Sequence, residues 1–433
     1  MTFPSFGQRV RTAFALSLVL GLTGGLFAQK APVTISILTG QGAMSPVYRE
    51  MAAEIEKDTG YKIEFQVIPD DQYYTIAKAK VAANEPPDII EYNTPSNNIE
   101  LGAHENVIPL DNQSWVARLV NPGLLKDPTD GKIYAMPRNS GSFFGAMYYN
   151  KKTLEGLGVS TQQPKTYKEF LDRLEQIKVK SKGAIAPVFA ANKDSWTTQI
   201  FMTLGWAVAL YPNDAAAWTK LLANKAKFTD FPEFKTILAQ YKELYTKGYI
   251  NKGNLSATYD MSKEAVATGK AAMALQGEWF VSDINGKWPE VQMGSWIVPF
   301  NDRLIMGTGA FVRGWFVMKS GKHPQEALKF LEVWSRAKYW NMYFAKQPGF
   351  PAFKDIDGGK VDPAITSLVD KFVSTGKYTY QINDPMGVVS TVWPDLWKMY
   401  VEMVATTKTP DAVLKAWQAK YADYMKQLKQ PGF

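Results

Sequence analysis

The run Val33-Thr34-Ile35-Ser36-Ile37-Leu38 alternates apolar and polar positions with period two, which predicts a half-buried strand. Thr39-Gly40-Gln41-Gly42 reads as a loop, and the spacing then turns helical. Ser45 stands as N-cap, Pro46 occupies the first helical position, Val47, Tyr48, Met51, Ala52 and Ile55 share one face, and Gly60 ends the helix. Tyr61, Ile63, Phe65 and Val67 alternate again, so the unit is strand, helix, strand, and the pairing is expected to be parallel. A second helix is predicted over about Tyr73 to Ala83, and Pro86-Pro87 opens a third strand, Asp88 to Tyr92. The polar loop Asn93 to Asn98 follows at the strand end, where open α/β sheets meet their ligands.

Further along, the polar run Asn139-Ser140-Gly141-Ser142 suits a hinge. A capping box at Thr166 and Glu169 starts a helix that buries Phe170, Leu174 and Ile177. Asp194-Ser195-Trp196 and the apolar stretch Ile200 to Leu210 continue the same region. Ser262 to Thr268 reads as a short helix, with Gly269 where a left-handed cap is wanted. Ala271 to Leu275 then reads as a strand covered on both faces. Gly277 frees a turn that would deliver Glu278 and Trp279 to the end of a sheet. Gly294 to Pro299 and Phe316 to Met318 are predicted strands. His323-Pro324 begins a helix carrying Ala327, Leu328, Leu331 and Trp334, while Val413, Trp417, Tyr421, Tyr424 and Leu428 line the final one.

The pattern formed by Gly269, Ala272, Met273, Gly277 and Trp279 resembles the signature of the family 1 extracellular solute-binding proteins, the sugar-capturing subunits of ABC importers. Pro87-Asp88-Ile89-Ile90, Asp130 to Pro137, Tyr149-Asn150-Lys151 and Pro164 to Tyr167 are similar to further landmarks, in the family's order. The resemblance implies an α/β fold, the type II clamshell of periplasmic binding proteins, with two lobes of parallel sheet between helices. Three hinge crossings would fall near residues 138, 295 and 350. One lobe would comprise residues 29–138 plus 296–349, the other 139–295 plus 350–433. Closure about the hinge would offer the loaded form to a membrane permease.

Composition refines this picture. Arg9 and Arg11 ahead of the apolar, uncharged run Thr12 to Phe27, with Ala28 at the cleavage position, read as a signal peptide over residues 1–28 and imply export, to a periplasmic or other extracytoplasmic location. The 433 residues contain no cysteine, which excludes a disulfide framework, a thiolate metal site and a lipid-anchored cysteine. Hydrophobic residues at 46% and charged residues at 21% are ordinary for a globular chain long enough for two domains. The formal charge of +8 is spread without a block of like charges, so a nucleic-acid partner is not expected and a monomer is.

Catalytic signals are thin. Only His104 and His323 are present, with no metalloprotease, nucleophile-elbow or phosphate-loop motif, and neither a metal nor a cofactor is expected. Glu278, Asp194, Glu91 and Asp260 are carboxylates by type, but nothing in the sequence pairs them as a glycosidase would require. The thirteen tryptophans are the stronger signal. Trp218, Trp334, Trp340 and Trp417 read as core, whereas Trp196, Trp279, Trp315 and Trp393 stand beside polar residues or at strand ends. An aromatic plane under the apolar face of a sugar ring, with acids and amides at its rim, gives orientation and selectivity. By resemblance Trp279 is the first ligand-contact candidate, followed by Trp196 and Trp393. Gln41 and Asn93 come from the other lobe, with Ser96 behind them. Glu278 would accept from sugar hydroxyls, and Arg313 is either a donor to hydroxyls or an ion-pair partner. The reading is carbohydrate binding and delivery to an ABC importer permease. The alternatives are a polyamine or other organic solute on the same fold, and an extracytoplasmic carbohydrate-active enzyme.

Overall fold

The computed structural model describes residues 33–140, 143–309, 312–381, 393–427 and 429–433. The signal-peptide reading and Leu428 lie outside them, as does part of the 139–142 run. The strands are β1 (Thr34–Gly40), β2 (Lys62–Ile68), β3 (Ile89–Thr94), β4 (Met136–Pro137), β5 (Phe143–Phe144), β6 (Ala146–Asn150), β7 (Ala186–Val188), β8 (Ala271–Gln276), β9 (Met293–Trp296), β10 (Met306–Gly309), β11 (Val312–Val317) and β12 (Tyr378–Tyr380).

Two main sheets form, ordered β2-β1-β3-β11-β4 and β7-β8-β6-β9. The strand-helix-strand unit pairs in parallel as its spacing demands, with Thr34 opposite Lys62 and Gly40 opposite Ile68. β3 adds parallel to β1, and β7 runs parallel to β8. Each sheet is nevertheless mixed rather than wholly parallel. β11 runs antiparallel to β3, and β6 runs antiparallel to both β8 and β9. These strands lead out of or into a crossing between lobes, so they enter their sheet from the end at which the parallel strands leave it.

Local rules explain the elements. The helix Pro46–Thr59 has Ser45 accepting from the Val47 N–H, Pro46 at its first turn and Gly60 at φ 74°, a conformation that costs glycine little. Its buried face is Val47, Tyr48, Met51, Ala52 and Ile55. The helix Tyr167–Lys180 is capped by Thr166 and buries Phe170, Leu174 and Ile177. In β8, Ala271 to Ala274 are fully buried, with side chains small enough for helices to close over both faces.

The first lobe's core gathers Tyr48, Trp315, Trp334 and Trp340 beneath β1, β3 and β11. Trp315, expected in a loop, is 1% exposed inside β11 and meets Trp334 at 5.6 Å and Trp340 at 5.5 Å. The second lobe's core surrounds the helix Gln199–Leu210, almost all of which is buried, and holds Trp206, Trp218 and Trp417.

The lobe boundaries differ from those expected. Residues 296–309 pack with the second lobe. Phe300 sits 4.9 Å from Phe201, Asp302 accepts from the Tyr167 N–H, and β10 pairs with β12. Phe300 and Pro299 carry this segment under a second-lobe helix before the chain crosses toward β11. Residues after 350 first return to the first lobe: Phe353 lies edge-on to Trp115 at 6.2 Å, and Arg118 binds Asp355 at 2.8 Å. The crossings at 139 and 351 run side by side, bridged between Asn139 and Pro351.

Candidate functional site

The first lobe builds one wall of a cleft from strand ends. β1 ends at Gly40, and the 3-10 turn Gln41–Ala43 projects Gln41. The helix Asp70–Ala82 starts beside it, so the Asp70 carboxylate accepts the Gly42 N–H at 3.0 and 3.2 Å. Asp70 is held by the turn it faces. At the floor, Arg313 of β11 is in register opposite Asn93 of β3.

The second lobe supplies the aromatic wall. Trp196 rides on the 3-10 turn Ser195–Thr198, with its ring 5.3 Å from Tyr259 and 6.4 Å from Trp279. Asp194, just before that turn, accepts the Tyr259 N–H at 2.7 Å and so fixes the start of the helix Tyr259–Ala267. Asp260 and Asp283 share Lys263, at 2.7 and 3.5 Å.

The walls touch at three points. Gln41 Nε2 donates to Asp260 Oδ2 at 3.3 Å, Trp196 lies near enough to Asp70 to favour its charged form, and Tyr74 meets Trp397 edge-on at 5.9 Å. Burial raises the Asp70 carboxyl above its ordinary value, against the Gly42 N–H and Arg313, which pull it down. Burial likewise raises Asp194, with Asp70 and Asp71 adding repulsion. Asp70 of one lobe and Asp194 of the other are therefore close enough to repel, beside Arg313 and the rings of Trp196, Tyr259 and Trp279. Such groups accept from hydroxyls and stack on ring faces.

Trp196 and Gln41 thus lie in contact across the cleft, Trp279 stands half-buried beside Trp196, and Asn93 and Arg313 share the floor. Two candidates fall elsewhere. Trp393 is 2% exposed and stacks on Trp417 at 5.1 Å, because it opens the helix Trp393–Ala405 on its core side. Glu278 turns to the crossing, where its Oε2 accepts the Phe144 N–H at 2.9 Å. Arg313 is an ion-pair partner, its Nε 3.8 Å from Glu91 Oε1. The sequence reading missed Tyr74, Tyr259 and Trp397, and it missed Asp70 by starting the second helix three residues late. Asp70-Asp71 directly after Pro69 is the acidic first turn that could have given the true start.

Burial lifts the Glu278 carboxyl to about 7 from an ordinary 4.5. Between those values the folded chain holds the proton more tightly than the unfolded chain, so this group's effect on stability grows less favourable as pH rises from about 4.5 to about 7 and then levels off. Glu278→Gln keeps an acceptor for Phe144 and removes the charge. Thermal unfolding should show the variant more stable by a few degrees at pH 8 and matched to the parent near pH 4.5; equal midpoints at both would refute the assignment.

His104, Asp127 and Asp130 form the group among the described residues that could hold a metal ion, their ligand atoms lying within 4.8 Å of one another. Protein donors already close it: Asp127 accepts from Asn98 and the Thr129 N–H, and Asp130 from Tyr134 and the Lys132 N–H.

Residues 41–339 match the family of bacterial extracellular solute-binding proteins, and the chain belongs to that family. Among its relatives is the melibiose/raffinose/stachyose-binding protein MelE of Bacillus subtilis, 28% identical over 298 residues, 66% of each chain. The chain spans about two thirds, 66%, of the length of the curated relatives it matches. Among solved structures, the solute-binding protein RafE in complex with raffinose superposes with a TM-score of 0.75 at 21% identity, covering 90% of this chain and 98% of RafE. A sugar transporter from Bacillus licheniformis in complex with stachyose gives 0.73 at 23% identity, covering 92% of this chain and 100% of that one. The fold is the two-lobed type II clamshell. No helix among the described residues is long and apolar enough to cross a membrane.

Proposed function

We propose that this protein binds an oligosaccharide outside the cytoplasm by closing its two lobes on it, and that it delivers the sugar to the permease of an ABC importer. The observation that carries this reading is the pairing of Trp196, Tyr259 and Trp279 on one wall with Asp70 and Gln41 on the other, with Trp196 beside Asp70 and a hydrogen bond from Gln41 to Asp260. A sugar ring stacked on Trp196 would place its hydroxyls among these acids and amides. The names of MelE, RafE and the stachyose complex favour galactose-containing oligosaccharides of two to four units. Closure is stabilised only by the ligand's preference for the closed state.

The acids also give weight to an organic cation. Glu91 faces two arginines and Lys263 serves Asp260 and Asp283, but no cation among the described residues lies within salt-bridge distance of Asp70 or Asp194. Their bonds to main-chain N–H groups compensate part of that charge, which is why the neutral sugar is preferred. Intrinsic tryptophan fluorescence, titrated with melibiose, raffinose and stachyose and separately with spermidine, tests both readings. Saturation by a saccharide and silence with spermidine is the expected outcome. The reverse would replace the sugar by a cation.

A further inference from the structure

We propose that Glu91 is a positioning residue that ties the cleft guanidinium of Arg313 to Arg138, at the root of the crossing bridged between Asn139 and Pro351, so that ligand contact and hinge orientation share one buried carboxylate. The tie is present whatever the ligand, although its effect on affinity rests on the binding reading above. Glu91 is 1% exposed. Its Oε2 accepts the Thr39 hydroxyl, whereas Oε1 lies 3.9 Å from Arg138 Nη1 and 3.8 Å from Arg313 Nε and makes no hydrogen bond. One carboxylate thus faces two guanidinium groups that cannot lose their charge.

Each arginine leads to a different moving part. Arg138 ends the strand region before the crossing, its main-chain N–H donates to Arg313 O at 2.8 Å, and its Nη1 reaches Tyr48 Oη at 3.3 Å and Ala43 O at 3.5 Å. Ala43 belongs to the turn that carries Gln41 across to Asp260. Arg313 lies 6.0 Å over the Tyr73 ring, near Gly40 and beside Tyr74, whose ring meets Trp397 of the other lobe. The charged and titratable groups around this centre are Asp70, Glu278, Asp283, Tyr48, Tyr73, Tyr74 and Tyr343, besides the two arginines. With Glu91 neutral, two like charges remain buried together and must separate. Arg313 would move toward Asp70, and Arg138 would shift the crossing.

The chain's lack of cysteine allows clean labelling. Spin labels at Glu56→Cys and Lys220→Cys, one on each lobe, report the interlobe distance by pulsed electron resonance, with and without stachyose. Glu91→Gln should shift or broaden the ligand-free distribution and weaken stachyose binding at least 10-fold. Adding Arg138→Gln, which removes the surplus charge, should restore thermal stability without restoring affinity. An unchanged ligand-free distribution with parental affinity in folded Glu91→Gln would overturn the proposal. So would full recovery of affinity in the double variant, since the effect would then be structural alone. If the parent binds no saccharide, the oligosaccharide reading fails, and the ligand-free distances still decide the role of Glu91.

Discussion

Trp196→Ala is expected to weaken binding of the saturating saccharide by about 30-fold or more, the loss of about 2 kcal/mol typical of a central aromatic anchor. The ring is half-buried, touches Tyr259 and Trp279, and lies beside Asp70 of the opposite wall. Its removal takes away a stacking plane and an interlobe contact together. The fold should survive, because the turn Ser195–Thr198 is held independently: Thr197 N–H and Thr198 Oγ1 bond the main chain at Asp194 and Ser195. Calorimetric titration with the thermal midpoint measured in parallel separates the two effects. Parental affinity in the variant would remove Trp196 from the site.

Trp315→Ala should instead leave the cleft side chains in place and cost about 3–5 kcal/mol of stability, the range for emptying a buried large aromatic position. Its ring is enclosed by Tyr48 at 5.8 Å, Trp334 at 5.6 Å and Trp340 at 5.5 Å, which stand on three separate helices. Urea unfolding should show a lower midpoint with an unchanged slope. A midpoint shift under a few tenths of a molar would contradict the packing described.

These two tryptophans show what a sequence can and cannot reveal. Both stand next to polar residues, and composition does not separate them. Trp315 follows Arg313 and Gly314, which looked like a loop, but the period-two register from Val312 to Val317 puts its side chain on the sheet's inner face. Trp393 misled in the same way, since the segment before it offers no periodicity to show which side of the next helix is buried. The helices with complete signals were legible to the residue: Ser45-Pro46 to Gly60, and Thr166 with its spaced apolar face. Gly269 takes φ 74° after the helix Tyr259–Ala267, and the strand behind it is buried on both faces as its small apolar run required. What remained hidden is long-range. The partners of Asp70 are Gly42, Arg313 and Trp196, up to 243 positions away, and no local pattern encodes that meeting. The contacts of Phe300 and Phe353 are hidden for the same reason, because each ring finds its pocket only in a folded lobe.

The central claim, closure of two lobes on an oligosaccharide, is tested most directly by isothermal titration calorimetry of the protein with stachyose at several temperatures. Stacking and interlobe burial predict one-to-one binding with a negative heat-capacity change. Absence of heat at every temperature with stachyose, raffinose and melibiose, alongside one-to-one binding of spermidine, would contradict it.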